Sequence, residues 1–136
     1  MGQLSTYGRT VMVNSVFRPE AAAVLGGAYM ALTLAVPVDT DTGSSILEPT
    51  ASSFERVPYG LGTYFWTMMS PGQVANTQQI SWVIPTDNWG QVIGWALCTE
   101  STSGMVLAFG RLRRSMAIVA GQRLKVPPGS LRVSLL

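Results

Sequence analysis

Histidine is absent from the 136 residues, and cysteine occurs once. Without histidine there is no Ser-His-Asp or Cys-His nucleophile pair, no histidine general base and no imidazole ligand for a transition metal. The single thiol, Cys98 in WALCTE, cannot close an internal disulfide or build a cysteine-rich zinc site. Its apolar neighbours mark it as a buried, inert thiol. Charge is scarce too: 12% of residues are charged, where about 25% is usual for a soluble domain. Long apolar runs are missing. None approaches the roughly 18 residues that cross a bilayer, so no membrane association is expected. The opening MGQLSTYGRT lacks the charged start and continuous apolar stretch of a signal peptide.

What is present is a 47% hydrophobic chain, too apolar for a disordered segment and long enough to bury a core. One domain is expected over 1–136, with a helix or arm over 1–26 and a β-sandwich over 27–136. A surface so poor in charge is expected to be covered by a partner.

The charge is also unevenly placed. Residues 1–100 hold Arg9, Arg18 and Arg56 with all seven acidic side chains, a net −4. Residues 101–136 hold Arg111, Arg113, Arg114, Arg123, Lys125 and Arg132 with no acid, a net +6 that brings the whole to +2. Such asymmetry suits docking against copies of the chain or an acidic neighbour. Nucleic-acid binding is not expected, because these charges read as spread over strands without interleaved aromatics.

Along the chain, residues 5–17 read as one helix, capped by Ser5 or Thr6 and ended by Pro19. Leu4, Tyr7 and Val11 form one stripe, with Met12 and Val16 beside it. A further turn is expected over 20–25. Strands are expected over 28–36, 54–59, 63–69, 78–84, 92–98, 105–112, 116–119, 123–126 and 130–135, with a polar loop over 37–53. Short strands separated by turn signals every 8–12 residues indicate a mainly β fold: an antiparallel β-sandwich or Greek-key barrel with one N-terminal helix. Tyr64, Phe65 and Trp66 fall in a row within one expected strand, so large side chains point to both faces.

Several chemistries find no support. Asp39 and Asp41 resemble the start of a calcium loop, but no glycine at the sixth position and no closing glutamate follow. Asp87 and Glu100 flank one strand, whose length holds them further apart than the roughly 5–10 Å of a glycosidase pair. Gly26-Gly27 follows a helix and precedes a strand, the reverse of a phosphate loop. No catalysis, cofactor or metal is expected. The four tryptophans keep one alternative open: exposed, they would stack on sugars; buried, they favour an assembly role.

From residue 76 onward the order of features resembles small virion proteins of tailed bacteriophages, of the tail-fibre-like, minor tail or minor capsid kind. It runs through Pro85-Thr86, Trp89-Gly90, the apolar strand over 92–97, the turn over 102–104 and the strand over 106–110. It closes with Ala120-Gly121, Leu124, Gly129, Leu131, Val133 and Leu135. Leu25-Gly26-Gly27 and YMALTLAVP fit more loosely. The ArgLeuArgArg run at 111–114 and the Tyr64-Phe65-Trp66 cluster depart from the pattern. The resemblance implies a non-catalytic component of a phage particle, made in the host cytoplasm. The expected role is a capsid decoration or cement protein on the shell surface, associating as a trimer and with the major capsid protein. The alternative is a tail-fibre or minor tail component, with a host glycan as possible ligand. The interface candidates are Tyr64, Phe65, Trp66 and Met68 as apolar anchors, Arg111, Arg113 and Arg114 as carboxylate-binding forks, and Tyr7 and Val11 on the helix.

Overall fold

The computed structural model describes residues 2–21 and 25–134. Its elements are β1 (Gly2–Leu4), α1 (Thr6–Phe17), β2 (Tyr29–Thr33), β3 (Val57–Pro58), β4 (Trp66–Ser70), β5 (Gln73–Asn76), β6 (Ile80–Ser81), β7 (Gly90–Cys98), β8 (Val106–Ile118), β9 (Lys125–Val126) and β10 (Arg132–Ser134). Eight strands form one curled sheet in the order β3-β2-β7-β8-β1-β10-β5-β4, and β6 and β9 pair separately. Every pairing is antiparallel except β1 with β10. The class is the expected one: mainly β, sandwich- or barrel-like, with one N-terminal helix.

Cross-strand register places Met30, Leu32, Trp95, Leu97 and Ala108 on one face of the sheet, and Ala31, Ala96 and Phe109 on the other. The first face joins Ile80, Trp82, Leu124 and Val126 from the β6–β9 region in the main core. Trp82 is buried there, and its indole N–H donates to the Met30 carbonyl at 3.3 Å. On the second face Ile46, from the loop after β2, packs with Ala31, Ala96, Cys98, Val106 and Phe109. Burial on both faces explains why β2 and β7 read as continuous apolar runs and not as alternations.

Helix α1 is held by its first turn. The Ser5 hydroxyl accepts from the Gly8 N–H at 2.9 Å and donates to the Val106 carbonyl. The Ser5 N–H donates to the Leu107 carbonyl at 3.0 Å. Leu107 is the extra residue of a bulge, because Leu97 faces Ala108 while Cys98 faces Val106. A bulged residue leaves its carbonyl outside the ladder, and here that oxygen receives the helix start. Gly8 lies so close that a Cβ would collide with it. After Phe17 the helix ends at Arg18, followed by a 3-10 turn over Pro19–Ala21.

Several expected boundaries change. Tyr64 and Phe65 precede β4 and lie in a turn: Gly62, at φ +103°, accepts the N–H groups of Phe65 and Trp66 through its carbonyl. The strands expected over 105–112 and 116–119 are one bulged strand, β8. β1 and β5 are additions, and the strand expected over 78–84 shortens to β6. The extension of the turn through 22–24, and Leu135, lie outside the described residues.

Candidate functional site

Two surfaces and one buried clasp stand out. The clasp centres on Arg56, only 6% exposed. All five guanidinium donors are used: two on the Glu48 carboxylate at 2.7 and 3.0 Å, and one each on the carbonyls of Gly43, Glu100 and Ser103 at 2.8–2.9 Å. Burial opposes the charge, but the Glu48 hydrogen bond, with the electrostatic influence of Cys98 and Glu48, leaves the Arg56 pKa raised. The clasp ties the loop after β2 to the β7–β8 turn. Next to it Cys98 is fully buried, and burial pushes its thiol up to about 11 against the stabilising charge of Arg56. The thiol is buried, as expected.

The first surface is apolar. Tyr7 and Val11, half-buried, turn toward the core. The helix therefore presents other side chains outward: Met12, Val13, Val16 at 66% exposure and Phe17 at 78%. Beside it Met12, Val11, Leu25, Leu61, Trp66 and Val74 border an apolar cleft of about 270 Å³. Met68, 72% exposed, faces Val74 across the β4–β5 pair and extends this apolar ground to the sheet edge. Of the aromatic candidates, Tyr64 is exposed. Phe65 and Trp66 are partly buried around Tyr59, with ring centroids 5.0 and 5.4 Å away. The Trp66 indole donates to the Gly60 carbonyl at 2.9 Å, and the Tyr59 hydroxyl to the Phe65 carbonyl at 2.6 Å. Burial raises the Tyr59 pKa. Phe65 and Trp66 therefore brace the sheet edge, while Tyr64 and Met68 project from it.

Sequence reasoning passed over Val13, Val16 and Phe17. The signal was the uncharged stretch TVMVNSVF, too apolar on all sides for a helix with one buried face.

The second surface is basic. Gly94 faces Arg111 and Val92 faces Met116, so two steps on β7 match five on β8 and three extra residues bulge out. This bulge carries Arg113 and Arg114. With Arg111, Lys125 and Arg132 they line a groove of about 1030 Å³, so five of the six cations of residues 101–136 meet in one place. They are exposed, and among the described residues no carboxylate lines the groove. The expectation of scattered charge is corrected here. The folding of β8 against the segment leading into β10 gathers residues far apart in sequence.

The remaining candidates resolve simply. Asp41 accepts from the Val38 N–H at 2.8 Å and the Ser45 hydroxyl at 2.7 Å, and Asp39 pairs with Arg9 at 3.3 Å. Among the described residues no cluster of potential ligands is arranged for a metal. Trp82, Trp89 and Trp95 are buried, and Trp66 is partly so.

No curated protein matches the sequence. The family model described as "Podophage GP4 fiber I protein gp80" matches residues 3–134, nearly the whole chain. The chain belongs to this phage fibre family, and it is a phage structural protein.

Proposed function

We propose that the protein is a non-catalytic fibre component of a phage tail, built into the particle through its apolar flank. The observation that carries this reading is the fibre family match over residues 3–134. It favours the fibre over the capsid decoration role, which had been the first expectation from sequence. The burial of three tryptophans supports assembly over sugar stacking, since a ring must be open to solvent to receive a saccharide. The flank supplies the assembly surface. Phe17, Val16, Met68 and Tyr64 are large, apolar or amphipathic, and open to solvent, and such side chains anchor the centres of protein interfaces. A second copy of the chain is the proposed partner there, as the sequence reading expected of a homo-oligomer.

Gold-labelled antibodies against the chain, imaged on intact particles by electron microscopy, test the reading. Label confined to the tail is the expected outcome. Label distributed over the shell would restore the decoration role.

A further inference from the structure

The basic groove asks for an occupant that the chain does not provide. Five cations, Arg111, Arg113, Arg114, Lys125 and Arg132, line it without one carboxylate among the described residues. Like charges held in one concavity repel and focus a positive potential outward. The chain's own acids are poorly placed to answer it. Asp39 is bound by Arg9 and Gln3, Asp41 by Ser45, Glu48 by Arg56 and Asp87 by Ser53, and the exposed Glu20, Glu55 and Glu100 stand singly, far apart in the sequence. A second copy therefore brings no run of available carboxylates.

We infer that the groove takes an extended acidic segment of a different polypeptide. Three observations select polypeptide over other polyanions. Between the cations the groove offers apolar surface at the half-buried Leu112 and Met116 and the exposed Pro127 and Pro128, a lining suited to alternating carboxylate and apolar side chains. Its one aromatic, Trp95, is only 3% exposed, so it offers no stacking platform for bases or sugar rings. One edge of β8 is also open: β1 pairs with it at Ala108 and Phe109 and its Gly2 lies against Gly110, and from Arg111 onward no described strand follows on that side. An open strand edge supplies the backbone donors and acceptors that an added peptide strand uses. The inference rests on the groove alone and holds wherever on the particle the chain sits.

The test uses a fluorescent peptide of alternating glutamate and valine, titrated into the full chain at low and moderate salt. The peptide is expected to bind, with affinity falling as salt rises. A glutamine–valine peptide is expected to bind at least about tenfold more weakly. Arg113→Glu with Arg114→Glu, and separately Lys125→Glu with Arg132→Glu, are each expected to lose at least about tenfold in affinity. The same change of charge away from the groove, Arg9→Glu with Arg18→Glu on the helix, is expected to leave affinity within about twofold. Equal loss in that control, no binding of the acidic peptide, or tighter binding of an oligothymidylate or heparin fragment of equal charge would overturn the inference.

Discussion

Up to residue 100 six of the ten charges hold the chain to itself: Arg9 is bound to Asp39, Arg56 to Glu48, and Asp41 and Asp87 to serine hydroxyls. Beyond residue 100, five cations stand around a groove with no carboxylate among the described residues that line it. The difference lies in burial. A guanidinium out of water is tolerated only when its donors are saturated, and Arg56 meets that condition with five hydrogen bonds. The groove cations remain hydrated and need no internal partner, so they are available to an external one. The first set of charges serves stability and the second serves association.

The sharpest way to break this comparison is Arg56→Ala. It leaves Glu48 and three carbonyls without their donor, and it is expected to cost about 3 kcal/mol, a fall in melting temperature on the order of 10 °C. Circular dichroism would show it.

Cys98, beside the clasp, gives a prediction in pH. Its folded pKa of about 11 lies above the ordinary 9.0. Between these values the unfolded thiol ionises while the folded one keeps its proton. The contribution is complete below pH 9 and is lost as pH rises toward 11. Over that window the wild-type chain is expected to lose about 2 kcal/mol more than Cys98→Ala, as read by urea unfolding.

Gly8→Ala drives a methyl into the Leu107 carbonyl and should cost about 2 kcal/mol by lifting the helix start from β8. Chemical denaturation would measure it, and a faster-cleaved helix under limited proteolysis would locate the damage.

The smallest effects on folding belong to the association surfaces. Arg113→Glu with Arg114→Glu is expected to change stability by less than about 0.5 kcal/mol. A large loss would mean that these cations belong to the structural set after all. Val16→Asp with Phe17→Asp should likewise leave melting nearly unchanged while abolishing self-association in analytical ultracentrifugation.

Much of the fold was legible because it rests on local chemistry. Ser5 and Pro19 bracket the helix, and the apolar runs of β2 and β7 announce buried strands. The rest depends on partners distant in sequence. β1 is three residues with no period of its own, and it exists because β8 and β10 pair with it on either side. β8 reads as two strands because ArgLeuArgArg interrupts its apolar pattern, whereas the bulge lets one strand continue past it. At the surfaces, the charge asymmetry was visible but its concentration was not: Lys125 and Arg132 reach the arginines of the bulge only through the fold. Tyr7 and Val11 were chosen over Val16 and Phe17 because a stripe shows which residues share a face, and not which face meets the sheet.

A cryo-electron microscopy map of the intact particle, at a resolution that traces backbone, tests the central claim most directly. The account predicts this fold within the tail, its Phe17–Met68 flank against another copy and a strand of acidic polypeptide in the Arg113–Lys125 groove. Density for the chain on the capsid shell, with the groove open to solvent, would contradict it.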